Sequence, residues 1–258
     1  HFACEWSPDG TKISSGGSGD TVYIWDVATG EPLHKIAGHE AWISDLCWSP
    51  DGDKVASAGQ DATVRIWEAE TGEAIGRIDL ETDDEPTAIK WSPAGGRLAW
   101  GDKEGVLHVW DTKEAKKVRA LTGHAGGITD LSWSPDGSEL VTSSLDKTLR
   151  VWTPDKDADR ETREADFGIE GADGNLSGSK SPDGSREIVR QGGDLVVVSL
   201  PEREPIATLT GARAFLAAVA WSPDGSRIAT DGGEEPTIHI WGAESGERLM
   251  TLSGHQAK

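Results

Sequence analysis

A histidine, a hydroxyl residue and an aspartate recur together along this chain, and that trio is the set of residue types best suited to hydrolytic chemistry. One copy is His39, Ser57 and Asp61; another is His124, Thr142 and Asp146. Each ends on a tryptophan six residues beyond the aspartate, Trp67 and Trp152. In a hydrolase the histidine would take the hydroxyl proton and the carboxylate would orient the imidazole. Acyl transfer also needs donors placed for the developing oxyanion. Repetition of the trio along the chain argues against a single active centre.

Carboxylates supply the other candidates. Asp155, Asp157, Asp159 and Glu161 stand at alternate positions, with Asp166 eleven residues after Asp155, which resembles a calcium loop. The glycine that such a loop needs at its sixth position is Arg160, and neither flank reads as a helix, so a solvated acidic loop is the better reading. The five acids between Asp79 and Glu85 read the same way. No metal, cofactor or catalytic residue is assigned.

The elements that carry these residues come from a repeat. Trp-Ser-Pro-Asp-Gly occurs at Trp6, Trp48, Trp133 and Trp221, with variants at Trp91 (Ala94 for Asp) and Lys180 (Lys for Trp). The steps between them are 42, 43, 42, 47 and 41 residues. A second tryptophan follows 19 or 20 residues later at Trp25, Trp67, Trp110, Trp152 and Trp241, while the fifth copy has Val198–Ser199 there. A period of about 40–45 residues ending on Trp-Asp is the signature of propeller blades. Each copy reads as four short strands. In the second, Ile43–Trp48, Lys54–Ala58, Thr63–Trp67 and Ala74–Ile78 are separated by turn residues, Pro presetting φ and Gly accepting φ > 0. In the strand Thr21–Trp25, Val22 and Ile24 face one way and Tyr23 and Trp25 the other. Both faces therefore need burial, which stacking between similar sheets provides.

These residues resemble the WD-repeat family over essentially the whole chain. The elements that carry the resemblance are Gly38–His39, Gly123–His124 and Gly254–His255, the Ser-Pro-Asp-Gly turns, an Asp before the third strand, and Trp25–Asp26 and Trp110–Asp111. The turn phrasing looks more like a bacterial member than a eukaryotic one. The resemblance implies an all-β fold, a propeller of six four-stranded antiparallel blades at about 1-38, 39-81, 82-123, 124-166, 167-211 and 212-258. It also implies that His39, Ser57, Asp61 and Trp67, and likewise His124, Thr142, Asp146 and Trp152, form buried chains of hydrogen bonds that pin loops to their blades. The chemistry agrees, since a buried indole N–H needs an acceptor and a polar network is stable only when fully satisfied. The other copies depart from the pattern. The first has Gly19–Asp20 in reversed order; the third has Thr82, Trp100 and Glu104 at the His, Ser and Asp positions; the sixth has Ala212 for His; the fifth lacks both tryptophans.

In this family the usual contact surface is the narrower face, built from the loops before the first strand and between the second and third. The resemblance places Trp42 and Phe215 there from the first set of loops, and Gln60, Lys103 and Leu145 from the second. Trp42 and Phe215 are read either as recognition anchors or as side chains packed into the groove between blades. Because each copy starts on its own first strand, the chain carries six whole blades. Two outcomes follow: a closed six-bladed ring with His255 placed to serve the first blade, or a larger ring lacking one blade. The closed ring is favoured because an open edge would expose apolar faces. The seam between the sixth and first blades is expected to open first.

Composition limits the function. With 45 Asp and Glu against 25 Lys and Arg, the net charge of −20 repels nucleic-acid backbones and anionic membranes. Cys4 and Cys47 alone make no disulfide framework, which favours a reducing, cytoplasmic setting. There is no signal-peptide pattern, and a chain starting at His1 rather than Met reads as a piece of something longer. The expected function is a non-catalytic scaffold or sensing module that binds other proteins or peptides. The alternatives are a ligand-binding or hydrolytic propeller using a central channel, and an architectural spacer.

Overall fold

The computed structural model describes residues 2–80, 85–155, 163–165, 180–191, 193–212, 219–231 and 237–254. The fold is all-β, that of a six-bladed β-propeller, each blade an antiparallel sheet whose strands pair in chain order. Blade 1 is Phe2–Trp6, Lys12–Gly17, Thr21–Asp26 and Pro32–Ala37; blade 2 is Ile43–Trp48, Lys54–Gly59, Thr63–Glu68 and Ala74–Asp79. Blade 3 is Pro86–Trp91, Arg97–Asp102, Leu107–Asp111 and Lys116–Leu121; blade 4 is Ile128–Trp133, Leu140–Ser144, Leu149–Trp152 and Arg163–Ala165. Blade 5 has three strands among the described residues, Arg186–Gln191, Asp194–Ser199 and Pro205–Leu209, and Lys180 bridges Glu187. Blade 6 is Val219–Trp221, Arg227–Asp231, Thr237–Gly242 and Arg248–Ser253.

The six Ser-Pro-Asp-Gly turns, counting the Ala94 variant, close in the same way. In the first, Gly10 N–H donates to the Ser7 carbonyl at 2.9 Å, and Ser7 Oγ accepts from Lys12 N at 2.9 Å while donating to Asp9 at 2.6 Å. The turn glycines have φ between 67° and 77°, a backbone that side chains rarely adopt. Blade 3 keeps the turn with Ala94, because Ser92 Oγ still accepts from Arg97 N at 3.0 Å. Where the aspartate is present, the serine bond stabilises its carboxylate and lowers its pKa, to about 2 at Asp136.

The chain forms two compact units. Gly38–Ala172 holds blades 2, 3 and 4; His1–Ala37 with Asp173–Lys258 holds blades 5, 6 and 1. Within each, burial is concentrated where one blade faces the next. Trp6, Ile13, Tyr23 and Trp25 of blade 1 pack on Ala229, Ile238, Ile240 and Leu252 of blade 6. Cys47, Ala56 and Val64 of blade 2 pack on Ile89, Leu98 and Trp100 of blade 3. Val22 and Ile24, as well as Tyr23 and Trp25, are buried, so both faces of the third strand are covered.

The seam between blades 6 and 1 is bridged by side chains. No strand is shared across it, but Trp6 Nε1–H donates to the Ala220 carbonyl at 3.2 Å. Trp133 makes the same bond to Lys90 between blades 4 and 3, at 3.3 Å. Tyr23 OH also donates to the Gly254 carbonyl at 2.9 Å. Gly254 lies so close to Trp25 that a Cβ would stand 3.2 Å from Cη2, the separation found between Gly123 and Trp152. The residue after the last strand thus covers the blade 1 tryptophan as the lead-in glycine of blade 4 covers its own. Sidedness of the bond makes this testable. Tyr23→Phe removes only the hydroxyl and should cost about 1 kcal/mol in urea unfolding, with faster amide exchange in Thr21–Asp26. Unaltered stability and exchange would show that this contact does not hold the seam.

Candidate functional site

The geometry of the first trio is that of a directed chain. Trp67 Nε1–H donates to Ser57 Oγ at 2.9 Å, Ser57 Oγ lies 2.7 Å from His39 Nε2, and His39 Nδ1 lies 3.0 Å from both oxygens of Asp61. One neutral tautomer satisfies every member. The serine O–H donates to Nε2, and Nδ1–H donates to the carboxylate. A proton on Nε2 would leave the serine accepting twice, with its own hydrogen unused. Asp61 also accepts from the backbone N–H of Glu40 at 2.9 Å and from Thr63 Oγ1 at 2.7 Å. Through Asp61, the loop before the first strand is bonded to the loop between the second and third.

Blade 4 repeats this arrangement. Trp152 Nε1–H donates to Thr142 Oγ1 at 2.7 Å, Thr142 Oγ1 is 2.7 Å from His124 Nε2, and His124 Nδ1 is 2.9 Å from Asp146. Asp146 accepts from Ala125 N at 2.8 Å and Thr148 Oγ1 at 2.7 Å. Blades 1 and 6 also keep the indole bond: Trp25 donates to Ser15 at 2.8 Å and Trp241 to Thr230 at 2.9 Å. Blade 6 has Ala212 at the histidine position, and His255, expected to serve blade 1, lies outside the described residues. As chemistry, the Ser57–His39–Asp61 connectivity matches a hydrolase triad. However, Ser57 and Thr142 are fully buried, and the hydroxyl oxygen of each is occupied by an indole.

Burial is the dominant influence on His39 and pushes its pKa below 6.5, against the opposing attraction of Asp61. Burial acts to raise Asp61, but the bonds from Glu40 N, Thr63 and His39 outweigh it and hold the carboxyl below 3.8. The Asp146 carboxyl is likewise held well below the usual range, burial being outweighed by Thr148, Ala125 and His124.

Blade 3 departs from this arrangement. Trp100 occupies the hydroxyl position, is fully buried, and stacks on His108 with centroids 5.3 Å apart. Trp110, whose acceptor position is thereby lost, is only partly buried. The expected aspartate position, Glu104, is exposed. Buried Asp102 takes the polar role instead, 2.8 Å from His108 Nε2 and accepting from the backbone of Glu104 and Val106. Trp100 Nε1 has no hydrogen-bond partner among the described residues.

The loop residues expected to meet a partner fall into register. Gln60 N–H donates to the Trp42 carbonyl at 2.8 Å, Lys103 N–H to Glu85 at 3.2 Å, and Leu145 N–H to Gly127 at 2.9 Å. Trp42, Glu85 and Gly127 each immediately precede a first strand, and the three first strands touch in sequence. Trp42 is 52% exposed and Leu145 73%, so both indole and isobutyl groups face solvent. Between them Lys103 Nζ pairs with Glu85 at 3.1 Å. Phe215 lies outside the described residues, as do Asp157, Asp159, Arg160, Glu161 and Asp166 of the acidic loop; Asp155 pairs with Arg97.

Besides Val141, four further exposed aliphatics escaped sequence reasoning: Leu33, Ile75, Ile206 and Leu249. Each of these four is the extra residue of a β-bulge in a fourth strand, skipped where Trp25, Trp67, Val198 and Trp241 pair. All stand eight residues beyond those positions, a spacing visible in the sequence. Bulges of this kind disrupt the open edge of a sheet against pairing with other chains. Among the described residues no three His, Cys, Asp or Glu side chains are grouped to hold a metal, and no helix is long and apolar enough to cross a membrane.

Residues 2–167 match the family described as the WDR19 first beta-propeller, and residues 203–242 match the WD domain, G-beta repeat. The chain is similar to the U5 small nuclear ribonucleoprotein 40 kDa protein of Mus musculus and Homo sapiens, 42% identical over 43 residues. That stretch is 17% of this chain and 12% of each relative. It is also similar to a probable serine/threonine-protein kinase, PkwA, of Thermomonospora curvata, 45% identical over 42 residues, 16% of this chain and 6% of that protein.

Two substitutions separate these roles by stability alone. His39→Ala and Asp61→Ala should each lower unfolding stability by about 1–3 kcal/mol, because buried partners are left unsatisfied. With pH, the unfolded chain binds a proton at His39 before the folded one does, so stability is full above about 6.5 and declines below it. Asp61 adds a second decline below about 3.8. In His39→Ala the upper decline should shrink; an unchanged profile would contradict the neutral, bonded histidine.

Proposed function

Given that this chain belongs to the WD-repeat β-propeller family, we propose that it is a protein-interaction module, a scaffold or sensing part of a larger regulatory protein. The observation that carries the reading is Trp42. A tryptophan half open to solvent is costly to solubility unless used, and aromatic anchors dominate binding hot spots. Its loop is not loose, being bonded to Gln60 through the backbone and to Asp61 through Glu40. Held in this way, the indole loses little further freedom when a partner docks.

In this reading the work is divided. The buried hydroxyl–histidine–aspartate chains hold the loops, and Trp42, Gln60, Lys103 and Leu145 meet the partner on the face that the family ordinarily uses. Against the hydrolytic alternative stands the burial of Ser57 and Thr142, which keeps substrate from either hydroxyl. Cys4 and Cys47, too few for a disulfide framework, favour a reducing compartment, the cytoplasm. The repeat phrasing favours a bacterial parent protein. Both nucleic acid and anionic membrane are disfavoured as partners by the charge of −20.

Affinity capture from cells of the source organism, wild type beside Trp42→Ala, tests the proposal. The substitution should weaken retention of a specific partner about tenfold or more, roughly 1.4 kcal/mol, with the melting temperature nearly unchanged. A large fall in melting temperature with undiminished capture would make Trp42 a packing residue and remove the proposed face.

A further inference from the structure

We propose that the segment received on the Trp42–Leu145 face is a basic one, an extended stretch of a partner protein with a lysine or arginine placed beside an aliphatic residue. The inference deepens the interaction reading and rests on it. It starts from what stands next to Trp42. Glu40, two residues earlier, is exposed. In blade 3 the equivalent position to Trp42 is Glu85, half-buried, and the exposed Glu104 follows on the neighbouring loop. On the loops that carry Trp42, Gln60, Glu85 and Glu104, the exposed cation among the described residues is Lys103, and Glu85 neutralises it at 3.1 Å. Arg77, on the fourth strand of blade 2, is held by Asp79 at 2.6 Å. An indole face attracts cations through its quadrupole, and carboxylates beside it strengthen that preference.

The other end of the row is different. Leu145 is the most exposed large apolar side chain described, and it stands beside Gly126 and Gly127, which carry no side chain to shield it. A Cβ on Gly127 would come within 2.8 Å of the Lys103 carbonyl, so this flat surface follows from how closely the loops of blades 3 and 4 pack. Lys147 is exposed near Leu145, so the acidic character belongs to the Trp42 end and not to the whole row. The surface is therefore polar in a defined order: acids and an indole, an ion pair, then an aliphatic with open backbone. An extended segment matches it with a cation at one end and an aliphatic side chain towards the other. The chain's charge of −20 steers such a segment in and repels an acidic one.

The test uses the full chain and three labelled synthetic peptides alike except for one residue type: arginine with leucine, glutamine with leucine, and glutamate with leucine, spaced by glycine. Fluorescence anisotropy reads the affinity. The arginine peptide should bind, more weakly as salt rises, and the glutamate peptide should not. Trp42→Ala and Leu145→Ser should each reduce arginine-peptide affinity by about fivefold or more, and Glu40→Gln by about two- to threefold with a flatter salt dependence. Leu33→Ser, in the other unit, should change nothing. Binding of the glutamine or glutamate peptide that depends on Trp42, with none for arginine, would overturn the basic partner and leave the face intact. Arginine-peptide binding indifferent to Trp42 and Leu145 would be attraction to net charge, and would overturn both. If no peptide binds, the basic segment is refuted, and the capture experiment decides separately whether the face receives a protein.

Discussion

Leaving a buried indole N–H without an acceptor is costly, and much of this structure follows from supplying one at the end of the third strand. In blades 1, 2, 4 and 6 the tryptophan that ends the third strand lies deep in the packing between blades, and a serine or threonine on the second strand accepts its proton. A neutral donor–acceptor bond of this sort adds about 1 kcal/mol at most, but its absence in an apolar interior costs more. That asymmetry makes the hydroxyl position restrictive. Where it holds Trp100 instead, the third-strand Trp110 is less buried and a separate aspartate–histidine pair appears beside it.

The requirement propagates outward. A hydroxyl that accepts from tryptophan has a hydrogen to give, and His39 and His124 take it; each histidine then has an N–H to give, and Asp61 and Asp146 take that. The aspartates end each chain by accepting backbone N–H groups of the preceding loop. A demand set in the interior therefore fixes two surface loops, those that carry Trp42 beside Gln60 and Leu145 beside Gly127. The polar groups resembling a catalytic apparatus are consumed in this way, which is why the exposed chemistry of the face lies in an indole, carboxylates and a leucine.

Much of this was legible in the sequence because the repeat writes it several times. The strand pattern and the turns could be read from spacing, since similar distances recur along the chain, and the resemblance to the WD-repeat family implied how the members of the chains in blades 2 and 4 are linked. What escaped was local. Asp102 was hidden because Trp100 displaces the pattern: the regular offset points to Glu104, while the structure uses the aspartate two residues earlier. The bulge aliphatics were hidden because a bulge breaks the alternation by which strand faces are read, although their eight-residue offset from the tryptophan positions was available. The bond across the seam was hidden for another reason: Tyr23 and Gly254 are far apart in the chain, and no local pattern reports their contact.

The central claim is that an interior indole dictates the protonation and orientation of the histidine that fixes the surface loop. Nitrogen-15 NMR of the His39 ring measures this directly. The account predicts a neutral imidazole protonated on Nδ1 at neutral pH, with a midpoint below 6.5 and a slowly exchanging Trp67 indole proton. A ring protonated on Nε2, or one titrating at or above 6.5, would contradict it.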